Sequence, residues 1–141
     1  MNTKIYKAVH DLAERLMSAA EKDDNANFKN LYSRLEVICT EHDNTDKDHP
    51  VQWETLADFT EDLDQAMALY EKALLKAKAI NSKDFMSSIA FSIANIQLEH
   101  GQTQAAIASL RDAKTSANKI EDKAFKDEIN QLLASLTEEE L

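Results

Sequence analysis

The chain of 141 residues carries 26 acidic against 16 basic side chains, a formal net charge of −10, with one Gly, one Pro and one Cys. Acidity of this size repels phosphate backbones, which argues against nucleic-acid binding, and no apolar run approaches bilayer length, which argues against a membrane partner or span. The charged N-terminal stretch lacks the uncharged core of a secretion signal, and the lone Cys39 offers no disulfide framework, so a cytoplasmic location is expected.

Helical periodicity then runs through the whole chain. Residues 5–22 place Ile5, Ala8, Val9, Leu12, Ala13, Leu16 and Met17 at i, i+3, i+4 spacing, which predicts a one-sided helix. Asp23, Asp24 and Asn25 break it, because short polar side chains compete for backbone hydrogen bonds and favour caps. A second helix is predicted over 26–42, with Phe28, Leu31, Tyr32, Leu35, Ile38 and Cys39 on its buried face. The polar stretch 41–50 forms the longest connection, and Pro50 suits the first turn of the next helix, where its missing N–H is not needed.

A shorter third helix over 51–60 is built around Trp53, Leu56, Ala57 and Phe59. Asp62 with Gln65 resembles a capping box opening a fourth helix, 63–80, whose stripe is Leu63, Ala66, Met67, Tyr70, Ala73, Leu74 and Ala77. Asn81 and Ser82 mark a turn into a fifth helix, 83–100, carrying Phe85, Ile89, Ala90, Ile93, Ala94, Ile96 and Leu98. Gly101 is placed to end that helix in a left-handed conformation. The sixth helix is predicted over 103–119 and the seventh over 122–136, the latter with Phe125, Ile129, Leu132, Leu133 and Leu136. Met17, Met67 and Met86 read as core filler. No segment reads as a strand.

Charge is concentrated in one block. Glu41, Asp43, Asp46, Asp48, Glu54, Asp58, Glu61, Asp62 and Asp64 stand against the single base Lys47, a net −8 that leaves the rest nearly balanced. The block either attracts a basic protein or peptide or serves as a solvated loop and helix end.

Two copies of one pattern lie 40 residues apart: Ala66, Tyr70 and Ala73 return as Ala106, Leu110 and Ala113. Trp53 likewise returns as Ile93, Leu56 as Ile96 and Ala77 as Ala117. The clearest unit is residues 89–113, in which Ile93-Ala94 precedes Gly101 and the small-x3-large-x2-small pattern of Ala106, Leu110 and Ala113 follows. On these residues the chain resembles the tetratricopeptide repeat (TPR) family. The unit over 50–80 fits less closely, since Glu54 replaces the small residue beside Trp53, and 5–42 reads as a degenerate first pair with Ala26 its one plain match. The repeat is longer than the common one of about 34 residues, the closing proline is missing, and Gln97 stands where the family prefers Tyr.

The resemblance implies an all-α fold: antiparallel helical hairpins stacked as a short right-handed solenoid of about seven helices. It implies a single domain over 1–141, with pairs over 5–42, 50–80 and 82–119, a capping helix over 121–136 and an acidic tail over 137–141. It further implies that the first helix of each pair lines a concave groove. By position, that groove is contributed by Val51, Thr55, Asp58 and Phe59 from one unit and by Ser88, Phe91, Asn95, Leu98 and Glu99 from the next. Phe59 and Phe91 are then apolar anchors, unless they pack on neighbouring helices, and Asn95 stands where such proteins often hold peptide backbone. Asp58 and Glu99 favour a basic or neutral segment over the acidic carboxylate that a Lys- and Arg-rich clamp would take.

Catalytic chemistry finds little support. Cys39 and His42 are three apart without a third orienting group. His42 and His49 flank Asp43, Asp46 and Asp48, but Lys47 occupies a ligand place of a calcium loop and the central Gly is missing. His100 beside Gly101 suits the negative end of its helix, and His10 lies on a polar side. A non-catalytic adaptor, chaperone or scaffold is expected, without cofactor or metal. An acidic decoy imitating nucleic acid and a helical sensor holding a small ligand are the alternatives, and self-association as a homodimer is left open.

Overall fold

The computed structural model describes residues 2–138, and among them it is all-helical. Seven helices follow in order: α1 (Thr3–Glu21), α2 (Asn25–His42), α3 (Pro50–Asp58), α4 (Leu63–Ala79), α5 (Lys83–Glu99), α6 (Thr103–Ala117) and α7 (Lys123–Glu138). Each predicted helix is present with its ends within two residues of the expected ones. The last turn of α7 continues through Thr137 and Glu138 where an acidic tail was expected; residues 139–141 of that tail lie outside the described residues. The chain separates into two compact units, residues 1–76 and 77–141, and the division falls within α4.

Local chemistry sets the helix ends. Asn2, Asp24, Ser82 and Asp122 accept hydrogen bonds from the backbone N–H three residues on, as does Asp62 from Gln65 at 2.9 Å. His49 opens α3 by a different route, its Nδ1 accepting from the Val51 N–H at 3.1 Å, with Pro50 in the first turn. Three helices close alike. Asp23, Asn81 and Gly101 take φ of 54°, 53° and 71°, and the following N–H groups reach back to Ala19, Ala77 and Gln97 at 2.9, 3.0 and 2.8 Å. These are paired left-handed closures that satisfy carbonyls the helix leaves open.

In the first unit α1 packs against α2, and α3 packs against both. Val9, Leu12, Leu16 and Ala19 of α1 and Leu31, Leu35 and Cys39 of α2 are buried, Leu16 and Leu35 fully so. Each such leucine contributes about 1.5–3 kcal/mol by leaving water. Met17 is not filler: it is 56% exposed, because one residue past Leu16 turns it about 100° away from the buried stripe. Ala26 is also exposed, since α2 begins at Asn25 and its buried stripe starts only at Phe28 and Leu31. The first hairpin therefore uses leucines and a cysteine where the later ones use alanines.

In the second unit α5 and α6 form the most extensive helix contact, and α7 packs on α6. Ala94, Ala106, Ile107, Leu110 and Leu136 make one buried cluster; Ala90, Ala113, Ala117 and Ile129 make another. The alanines leave no bulk between helix axes, so backbones approach closely and the larger side chains fill what remains. Every pair in the 40-residue pattern is buried in both copies: Trp53 and Ile93, Leu56 and Ile96, Ala66 and Ala106, Tyr70 and Leu110, Ala73 and Ala113, Ala77 and Ala117.

Candidate protein-binding surface

The acidic block is less acidic in space than in sequence. After α2 the chain turns through Asn44, at φ 61°, whose N–H donates to Asp48 Oδ2 at 2.8 Å. That turn aims Asp43 and Asp48 at α4. Lys76 Nζ donates to Asp43 Oδ1 at 2.8 Å and Asn44 Oδ1 at 2.9 Å and lies 2.6 Å from Asp48 Oδ2, so all three ammonium protons have acceptors. Lys72 Nζ reaches Asp43 Oδ2 at 2.6 Å and sits 4.1 Å from the centroid of the Trp53 ring, whose Nε1 donates to Asp48 Oδ1 at 2.8 Å.

Hydrogen bonds from Lys72, then Lys76, hold the Asp43 carboxyl below its ordinary pKa. Desolvation opposes the same shift at Asp48, but the bonds from Lys76, the Asn44 N–H and the Trp53 indole outweigh it. Partial burial works against the Lys76 charge, and the two carboxylates overcome it and raise its pKa. Two of the nine acids in the block are thus neutralised by lysines 28 to 33 residues downstream, a pairing that local spacing does not reveal.

On α3, the four sequence-predicted residues share one helix and its end. Val51 and Thr55 are half-buried, and the Thr55 hydroxyl donates to the Val51 carbonyl at 2.6 Å. Asp58 is exposed as a residue, yet its carboxyl turns under Tyr70, whose hydroxyl donates to Oδ1 at 2.5 Å. Loss of water there raises the carboxyl pKa, with the Tyr70 bond opposing. Phe59 caps α3 and meets Phe28 edge-on, centroids 6.3 Å apart. It lines a cleft of ≈ 620 Å³ with Phe28 and Tyr32, while Glu61 and Asp62 oppose the single cation Lys29 along the lining. Phe28 and Tyr32 were assigned by periodicity to a buried face alone; their i, i+4 spacing beside the Asp24 cap was the available signal for this cleft.

On α5, Ser88, Phe91, Asn95, Leu98 and Glu99 follow the spacing of one helix face. Phe91 is half-buried and meets Phe125 of α7 edge-on at 5.4 Å, so its ring is partly covered within the second unit. Leu98 is half-buried against the Leu110 cluster. Asn95 is exposed with its Nδ2 donating to the Phe91 carbonyl at 3.1 Å, and Glu99 is exposed. Ser88 lines a cleft of ≈ 420 Å³ with Phe125, Asp84, Asp122 and Glu128. Gln97, in place of the family's Tyr, accepts from the Ser109 hydroxyl at 2.7 Å across the hairpin.

The thiol of Cys39 and the imidazole of His49 serve structure. Cys39 is fully buried, donates to the Gln52 carbonyl at 3.2 Å rather than pairing with His42, and is pushed up to about 12 by burial, with Asp48 and Glu36 adding to the shift. A thiol held protonated in this way is a poor nucleophile. Burial lowers the His49 pKa, which suits its neutral capping role. His10 lies exposed, 3.2 Å from Glu14. Among the described residues, no group of three or more His, Cys, Asp or Glu converges as metal ligands, and no helix is long and apolar enough to cross a membrane.

No family model and no curated protein matches the sequence. Among solved structures, the chain is similar to PcrH from Pseudomonas aeruginosa. The match has a TM-score of 0.67 at 16% sequence identity and covers 93% of this chain and 92% of PcrH. The likeness is one of fold: seven helices packed as sequential hairpins, all-α and TPR-like. It extends through the first hairpin, where the sequence pattern retained only Ala26.

Proposed function

We propose that the chain is a non-catalytic protein-binding module, an adaptor, chaperone or scaffold of the cytoplasm, which holds a basic or neutral peptide segment at the Phe59 end of α3 in the first unit, with the α5 residues of the second unit a separate contact surface. The observation that carries this reading is the cleft at Phe59: an aromatic floor, half open to solvent, lined by two carboxylates against one lysine. A segment with an apolar anchor and a nearby cation suits that combination. The TPR-like fold, shared with PcrH, supports the same class of activity, since stacked helical hairpins present extended surfaces for binding. The internal pairing of Asp43 and Asp48 weakens the decoy alternative, since those carboxylates are already opposed by lysines.

The test is selection of peptides from a random display library on the full-length chain, followed by titration against variants. Selected peptides are expected to carry Lys or Arg beside an apolar residue. Phe59→Ala is expected to weaken binding roughly tenfold or more, and Glu61→Lys by a smaller, salt-sensitive factor. Phe91→Ala probes the α5 residues separately. Selection of acidic peptides, or affinities unmoved by all three changes, sinks the proposal.

A further inference from the structure

Helices in this protein fill the grooves that helical hairpins leave. In the first unit α3 packs against both α1 and α2; in the second, α7 lays Leu132, Leu133 and Leu136 on the Leu110 cluster of α5 and α6. A further groove between α1 and α2, of ≈ 430 Å³, is lined by no residue of α3. Its floor is Ala8 and Leu12 of α1 with Val37 and Ile38 of α2, and Val37 is 49% exposed although apolar. Arg15 and Arg34, one from each helix, also line it. Neither guanidinium forms an ion pair with any described residue, in a chain whose net charge is −10. Asp11 is the single carboxylate in the lining.

We infer that this groove docks an amphipathic helix of a partner protein, one whose apolar stripe covers Val37 and Ile38 and whose carboxylates pair with Arg15 and Arg34. Two helices side by side present the trough into which a third lays its apolar face, the arrangement the chain itself uses with α3 and α7. Guanidinium groups select carboxylates by their paired N–H geometry, so the charge preference here is opposite to that proposed at the Phe59 cleft. The inference is independent of that cleft, whose residues lie on other helix faces.

The probes are two designed helical peptides with the same leucine stripe, one flanked by Glu and the other by Lys, titrated into the isotopically labelled full-length chain. The Glu peptide is expected to shift amide signals of residues 8–15 and 34–38 and to bind roughly tenfold more tightly than the Lys peptide at low salt. The double charge reversal Arg15→Glu with Arg34→Glu is expected to invert that order. Val37→Glu, at an exposed position that leaves the core intact, is expected to abolish binding of the Glu peptide. Equal affinity for the two peptides, shifts confined to other residues, or no saturation overturns the inference. So does a dimer of the full chain that Val37→Glu dissociates, because the occupant is then a second copy.

Discussion

The two copies of the 40-residue pattern are held by different forces. Around Trp53 the helices are tied by charge: Lys72 lies over the indole, Asp48 accepts its N–H, and Lys76 joins Asp43 to Asp48. Around Ile93 the ties are alanines and leucines, with the Gln97–Ser109 bond as a polar brace across the α5–α6 hairpin. Each copy has a side-chain brace between residues twelve apart, Asp58–Tyr70 in the first copy and Gln97–Ser109 in the second, displaced by one residue in the repeat register. The two copies thus bury the same positions and differ in the chemistry at their edges.

The sharpest way to break the apolar copy is Leu110→Ala. Leu110 is fully buried, so its loss leaves a cavity and is expected to cost about 3 kcal/mol, read as faster hydrogen exchange across α5 and α6. The charged copy is broken by Lys76→Met, which leaves Asp48 without an ammonium partner and Asp43 with Lys72 alone. With Asp48 only 8% exposed at its side chain, about 2 kcal/mol is expected, together with a shifted Trp53 emission. Unchanged emission would show that the ion cluster does not fix the indole.

Acid should separate the copies more gently. The Asp43 and Asp48 pKa values are lowered on folding, so their stabilisation is fully present above the unfolded carboxylate value, about 3.9. It is lost as pH falls through the lower folded values. Lys76 behaves in the opposite sense: its raised pKa gives stabilisation that is complete below the unfolded value, about 10.4, and is lost as pH rises through the folded one. Trp53 emission is therefore expected to be flat between these limits and to move outside them, a dependence that Lys76→Met should flatten. The smallest effect is at a turn: Gly101→Ala meets no atom within 4 Å, so only the left-handed backbone resists it, at about 1 kcal/mol in urea denaturation followed by circular dichroism.

Much of this architecture was legible in residue spacing. Alanine and large apolar residues recurring at 40-residue offsets marked positions that are buried in both copies, and Gly101 marked a left-handed helix end. Asp23 and Asn81 perform the same closure without being glycine, because short polar side chains also tolerate that conformation; they read as generic breakers. The ion cluster was hidden because Asp43 and Lys76 are far apart in sequence and only the turn at Asn44 brings them together. The half-covered states of Phe59 and Phe91 were equally hidden, since periodicity places a ring on a face without showing which aromatic of another helix meets it.

One consequence of the seat of Cys39 is practical. As the sole thiol of the chain, sealed beneath the Gln52 carbonyl and kept protonated, it is shut off from alkylating reagents while α2 and α3 stay closed. Its labelling rate is consequently a built-in stopwatch for how often the first unit breathes open, with no engineered probe required.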